Sequence, residues 1–227
     1  RLVQEGHTIL AVVVRSNPSN NDLEDLANEL NLTIKAPKRV NDIGFVDWIT
    51  SLSPDLNISM SYDQIFRKPI LESAHLGFIN AHAGKLPHYR GRSVINWAII
   101  NDEKGIGLTV HFIDEGIDTG DIILQETIPV DWLDTFATIL EKVYARFPPL
   151  LSQAVALIAQ NAAPRIPQDP MEGSYFSSRT NGDEWIDWKD SSLNIYNKIR
   201  AISRPGPGAR TVFIDQTLIL WQAYFDP

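Results

Sequence analysis

Thr8-Ile-Leu-Ala-Val-Val-Val14 is an unbroken apolar, largely β-branched run, and Asp22-Leu-Glu-Asp-Leu-Ala-Asn-Glu-Leu30 follows it with Leu23, Leu26, Ala27 and Leu30 at helical spacing. The first reads as a strand buried on both faces, the second as an amphipathic helix. Asn21 or Asp22 suits its N-cap. The alternation continues: a short strand near Thr33–Lys35, a helix over 44–52 with Phe45, Trp48, Ile49 and Leu52 on one face, and a strand at Leu56–Met60. A helix near 64–72, a strand at Gly77–Asn80 and a helix from about Ser93 to Asn101 complete the series. Strands alternating with short helices predict βαβ units and a Rossmann-like α/β fold, a mainly parallel sheet flanked by helices. Upstream, Arg1-Leu-Val-Gln-Glu-Gly6 reads as the last turn of a helix closed by a C-cap glycine. The first strand and most of the first helix are therefore expected to lie outside this sequence.

Beyond Asn101 the rhythm changes. Gly107–Ile113 and Ile122–Ile128 read as strands around the acidic, glycine-rich loop Asp114–Asp121. A long helix over Asp134–Asn161, interrupted or kinked at Pro148-Pro149, comes next. Residues 162–183 read as a linker or an extended wrap, Ser191–Ile202 as a short helix, and Thr211–Ile214 with Leu218–Trp221 as a terminal hairpin. The expected organisation is a larger domain over 1–161 and a small C-terminal subdomain with a β appendage over 162–227.

The 227 residues carry no cysteine and a formal charge of −8. Disulfide scaffolds, thiolate metal sites and cysteine nucleophiles are thereby excluded, and a reducing, cytoplasmic setting is expected. The acidic balance opposes broad nucleic-acid binding. No apolar run approaches membrane-spanning length, so no membrane partner is expected. The sequence has no Walker loop, Rossmann glycine fingerprint, Gly-x-Ser-x-Gly elbow or His-Glu-x-x-His. Its five histidines lack zinc-ligand spacing. His111, in an apolar strand, reads as a packed core or edge residue.

Chemistry concentrates in two clusters. Asn80 and His82 stand two apart at a strand end, where open α/β sheets bind ligands. A carboxamide donor beside an imidazole suits a developing oxyanion. The loop 114–121 holds Asp114, Glu115, Asp118 and Asp121 with Gly116 and Gly120. An aspartate reaching His82 would fix its tautomer and stabilise imidazolium. A solvated acidic loop or a cation site fits the same residues, though the spacing fails the EF-hand pattern.

In order along the chain stand Asn80-x-His82, Leu86-Pro87-x-Tyr89-Arg90-Gly91, Asn96-Trp97-Ala98-Ile99 and Asp114-x-Gly116-x-Asp118-Thr119-Gly120. This string resembles the 10-formyltetrahydrofolate-dependent formyltransferase family, which includes methionyl-tRNA formyltransferases and sugar N-formyltransferases. The resemblance covers residues 8–130 and extends through Trp185-Ile-Asp-Trp188, Ile199-Arg200-Ala201 and Pro205-x-Pro207-Gly208-Ala209. It implies Asn80, His82 and Asp118 as catalytic residues and 10-formyltetrahydrofolate as formyl donor, with no metal required. It implies that the loop holding Asp114, Gly116 and Ile117 binds the pterin through its backbone, that Ser61 and Tyr62 line the substrate cleft, and that Leu86, Tyr89, Arg90 and Gly91 cover the reaction centre. Many members carry Pro-Ser after the histidine where this chain has Ala83-Gly84, a difference expected to loosen the loop. For the acceptor, the expectation is a nucleotide-linked amino sugar, with Lys85, Arg90 and Arg92 on its diphosphate. The chain stops at Pro227, near where the extra barrel of a methionyl-tRNA formyltransferase would start, which makes Met-tRNA the alternative. Hydrolysis of the donor by water and an inactive folate-binding remnant are further alternatives. The terminal hairpin could pair two copies into a homodimer.

Overall fold

A computed structural model describes residues 1–17 and 21–225 of the chain, which leaves the last two residues of the expected C-terminal subdomain outside the description. Strands β1 (Val12–Val13) and β2 (Ile34–Lys35) pair in parallel around helix α1 (Asp22–Glu29). The run Thr8–Val14 thus contributes two strand residues, because β2, its partner among the described residues, is itself two residues long. Leu10 is exposed, so this strand is not buried on both faces. Of the expected apolar face of α1, Ala27 is buried while Leu23, Leu26 and Leu30 are exposed.

Next come α2 (Ile43–Ser51), β3 (Asn57–Met60), α3 (Lys68–Leu71), β4 (Phe78–His82), β5 (Arg90–Gly91) and α4 (Val94–Ile100). Helix α3 is shorter than the expected 64–72 because Pro69, which lacks an N–H, fixes its start. Strands β6 (Gly105–Phe112) and β7 (Ile122–Pro129) precede the long helix α5 (Phe136–Ala159). It runs through Pro148 and Pro149, whose neighbours Phe147 and Leu150 are anchored in the core. A two-residue strand β8 (Tyr175–Phe176), helix α6 (Ser192–Ile202) and the hairpin β9 (Ala209–Phe213) and β10 (Gln216–Leu220) follow. Among the described residues, no helix is long and apolar enough to cross a membrane.

The main sheet has the order β3-β4-β6-β7. Its β3–β4 pair is parallel, and from β4 onward the pairing is antiparallel. Strand alternation then decides which side does what. Ile79 and Ala81 of β4 and Ile106, Leu108 and Val110 of β6 belong to a core shared with α4, α5 and α6. The other phase, Phe78, Asn80 and His82 with Thr109 and His111, faces away from it. Phe78 is covered by a smaller apolar cluster that includes Val40 and Ile70, and the polar members of the phase are left to form a site.

The wrap expected over 162–183 is ordered by pairing. Strand β8 lies parallel to β5, with Gly91 opposite Phe176. Gly91 has φ +96, and a Cβ there would run into the Phe176 carbonyl, so only glycine permits the approach. The segment read as a separate subdomain shares the main core: Ile199, Ala201 and Ile202 of α6 are buried in it, and Asn96 of α4 donates to the Ala201 carbonyl at 2.7 Å.

Candidate active site

Asn80 and His82 lie inside β4 rather than beyond its end, two residues apart on the polar face. Antiparallel register sets Asn80 opposite His111 and His82 opposite Thr109. Asn80 Nδ2 is 3.3 Å from His111 Nε2, and His111 Nδ1–H donates to the Phe112 carbonyl at 2.7 Å. The loop after β6 folds back over this face and delivers Asp118, which adopts the left-handed φ of +55. Its Oδ2 accepts from the Gly91 N–H at 2.8 Å and stands 3.6 Å from His82 Nδ1. Its Oδ1 stands 3.5 Å from His111 Nε2. One carboxylate is therefore bracketed by two imidazoles, and His111 touches both Asp118 and Asn80.

His82 Nε2 lies 2.7 Å from the Tyr89 carbonyl. A carbonyl can only accept, so Nε2 carries the proton and the neutral ring presents its Nδ1 lone pair towards Asp118. Burial pushes the His82 pKa down, against the opposing pull of Asp118 and the Tyr89 carbonyl, and the result lies below the ordinary histidine value. For Asp118, burial pushes upward but is outweighed by the hydrogen bond with His111, by the attraction of the His82 ring when it is protonated and by the Gly91 N–H, which hold the carboxyl below its usual range. At neutral pH the site contains a carboxylate and a neutral imidazole with one vacant proton position between them.

A cleft of about 600 Å³ opens over this group. Asn80, His82 and Asp118 line it together with Ser61, Tyr62, Gly91, Asp114, Gly116 and Ile117. Asp114 accepts from the Gly116 N–H (3.0 Å) and the Thr119 hydroxyl (2.6 Å), so its carboxylate shapes the loop. Ile117, half exposed, gives the loop an apolar surface. Among the described residues, no group of three or more acidic or histidine side chains is placed to hold a metal ion.

Four expected site residues lie outside the cleft lining. Leu86 is buried, and Gln125 Nε2 ties its carbonyl down at 2.9 Å. Tyr89 stacks on Phe176 at 4.7 Å and donates to Glu103 at 2.8 Å, so its carbonyl is its contribution to the site. Arg90 is 2% exposed and spends its guanidinium on Gln168, the Glu172 carbonyl and Tyr175, which corrects its expected place on a diphosphate. Lys85 lines a second hollow behind the loop. The Ala83-Gly84 departure does not loosen that loop. A Cβ on Gly84 would strike the Tyr89 carbonyl and the His82 ring, and Thr109 Oγ1 donates to the Gly84 carbonyl at 2.7 Å.

The sequence reading missed His111 and Arg15. His111 shares the polar phase of β6 with Thr109, and that alternation was the available signal. Arg15 reaches the cleft from the loop after β1 and donates to the Ser61 carbonyl, while Arg92 donates to the Asp63 carbonyl at 2.6 Å. Two guanidiniums thus flank the Ser61–Asp63 turn at the cleft wall.

The pattern described as formyl transferase matches residues 9–155, and that of the formyl transferase C-terminal domain matches residues 179–227. A methionyl-tRNA formyltransferase of Pelotomaculum thermopropionicum is 37% identical over 230 residues, covering 98% of this chain and 73% of that protein. In structure the chain is similar to a 4-N formyltransferase from Francisella tularensis, with TM-score 0.75 and 23% identity, over 96% of this chain and 87% of the other. It is also similar to the formyltransferase PseJ from Anoxybacillus kamchatkensis, solved in complex with UDP-4,6-dideoxy-4-formamido-L-AltNAc and tetrahydrofolate. That likeness has TM-score 0.56 and 27% identity over 73% of this chain and 84% of the other.

Proposed function

The chain belongs to the formyl transferase family, and we propose that it moves a formyl group from 10-formyltetrahydrofolate to the primary amine of a nucleotide-linked amino sugar. The observation that carries the reaction is the convergence of Asn80, His82 and Asp118 at one point, although the chain separates the first and last by two strands and a helix. The cleft volume falls within the roughly 300–1,000 Å³ common for small-molecule sites. The loop holding Gly116 and Ile117 offers backbone donors and acceptors beside an apolar surface, which suits a flat heterocycle such as the donor's pterin.

In the proposed reaction the acceptor nitrogen bonds to the formyl carbon, and the carbonyl π pair moves to oxygen. An N–H of Asn80 donates to that oxyanion. The proton shed by the attacking amine enters the vacant position between Asp118 Oδ2 and His82 Nδ1, directly or through one water. The imidazolium formed there adds positive charge beside the oxyanion. When the bond from carbon to N10 breaks, the same proton returns to N10. Removing one preorganised oxyanion donor costs about 10²–10³ in rate, so Asn80→Ala is expected to lose turnover on that scale.

The sugar assignment is supported by Arg15 and Arg92, paired donors that suit a diphosphate, by the UDP-linked formamido sugar bound to the Anoxybacillus relative, and by the net charge of −8. Met-tRNA is the second reading, favoured by the 37% identity to a methionyl-tRNA formyltransferase. The test is incubation of the chain with 10-formyltetrahydrofolate and a panel of nucleotide-linked 3-amino and 4-amino sugars, with Met-tRNA in competition. Formylation of an amino sugar is the expected result. Formylation of Met-tRNA alone would replace the sugar reading, and release of formate without any acceptor would turn the assignment to hydrolysis.

A further inference from the structure

We propose that Gln168 is a positioning residue for this reaction, holding the Asp118 turn in place from outside the cleft. The inference rests on the role given to Asp118 above and adds a residue that no part of the cleft lining contains. Gln168 lies on the segment between α5 and β8. Its Nε2 donates to the carbonyls of Asp118 (2.9 Å) and Gly120 (2.7 Å). Its Oε1 accepts from Arg90 Nε (3.2 Å) and Nη2 (2.7 Å). Two N–H donors and two lone pairs are the whole capacity of a primary amide, and here all four are engaged.

Each side of this clasp has a distinct job. Arg90 is 2% exposed, and its Nη1 donates to the Glu172 carbonyl (3.5 Å) and the Tyr175 hydroxyl (3.3 Å). The charged bonds from Arg90 therefore fix which way the Gln168 amide points. The amide N–H groups, so oriented, hold two carbonyls of a turn whose central residue, Asp118, sits at φ +55, a region that L residues avoid. That turn aims the Asp118 carboxylate at His82 Nδ1 and His111 Nε2. Released from the clasp, the backbone at Asp118 would relax and carry the carboxylate away from both rings. A misplacement of about 1 Å at a reacting group costs up to about a hundredfold in rate.

Substitution separates the two jobs. Gln168→Glu keeps the size and the bond to Arg90 but turns an anionic acceptor towards two carbonyls, so the strap stays while the clasp is repelled. Gln168→Met keeps the length and removes both sets of bonds. The experiment measures kcat and KM with 10-formyltetrahydrofolate and a UDP-linked 4-amino-4,6-dideoxy sugar, for both variants, in the wild-type and Asp118→Asn backgrounds. NMR titration of the His82 ring, which needs no substrate, and thermal unfolding accompany it. The expected result is a ten- to hundredfold loss of kcat with KM changed less than about twofold, a shifted His82 titration, and no further loss when Asp118→Asn is already present. An equal loss in both backgrounds, or an unmoved His82 titration in both variants, would make Gln168 a brace of the fold and overturn the proposal. Normal turnover of Asp118→Asn alone would remove the reading on which it rests, and that failure shows in the single variant.

Discussion

His111 is 1% exposed, yet it touches two of the three groups assigned to the chemistry. His111→Gln is expected to lower kcat about tenfold or more, because Asn80 and Asp118 both lose a fixed neighbour; an unchanged kcat would confine His111 to packing. The pH behaviour follows from His82 and Asp118. His82 is pushed below its ordinary value, chiefly by burial, so it takes up a proton only below pH 6.5. The acid limb of kcat/KM therefore lies below pH 6.5. Asp118→Asn removes the charge that opposes this push, so the limb should move to still lower pH while turnover falls by about two orders of magnitude; a limb that stays in place would uncouple the pair. Asn80, His82 and Asp118 could be singled out in the sequence through the string from Asn80 to Gly120 that resembles a known family, since an Asn-x-His pair and an acidic loop taken alone fit other roles as well. His111 and Gln168 could not. A lone histidine in an apolar strand has no local signal beyond its phase, and a glutamine in a polar stretch acquires its meaning only when the chain returns to the Asp118 turn.

Elements of regular pattern were read closely: β4 and α4 differ from expectation by a residue or two, while the weak ones, β1 and α3, shrank because their partners or a proline allowed no more. The pairing of β5 with β8 could not be read, since two residues leave no periodicity. Helix α5 begins with a reciprocal cap in which Thr135 Oγ1 accepts from the Thr138 N–H (3.4 Å) and Thr138 Oγ1 accepts from the Thr135 N–H (3.0 Å). Asp134, just before it, is buried and accepts from the Asp131 N–H (2.7 Å), Thr138 Oγ1 (2.8 Å) and Lys142 Nζ (2.5 Å). Burial pushes its carboxyl up, but Lys142, the Asp131 N–H and Thr138 outweigh this and hold it below 3.8. With the folded value below the unfolded one, its stabilisation is present above about pH 4 and is lost as pH falls further through the folded value. Asp134→Ala should destabilise the fold by about 2–3 kcal/mol in urea at pH 7, and by less at pH 3. Equal losses at the two pH values would contradict the ion-pair account.

For the molecule as a whole, residues 1–161 and the C-terminal segment share one core. Ile202 of α6 is fully buried in the same cluster as Ile79 of β4 and Val143 of α5. Ile202→Ala should therefore cost about 2–5 kcal/mol and lower the stability of the entire sheet. Tryptophan fluorescence and far-ultraviolet circular dichroism should report one coincident unfolding transition in this variant; two separated transitions would mean that the segment folds on its own. Net charge and composition, legible from the start, constrain partners but say nothing of this sharing, which depends on contacts such as Asn96 to the Ala201 carbonyl.

The pairing of β6 with β7 shifts register between Val110 and His111, so Val110 faces Leu124 while His111 faces Ile122. This irregularity sits beside the site and makes residue count, as much as residue identity, a determinant of activity. Strand pairing repeats every two residues. A deletion or insertion of a single residue between Thr109 and Phe112 would rotate His111 into the oily side of the sheet and bring a valine or phenylalanine against Asp118. The exposed ends of the terminal hairpin face no such constraint. Tolerance to changes in chain length should thus vary along the polypeptide as a map of the site, lowest where the bulge sets the phase of the sheet.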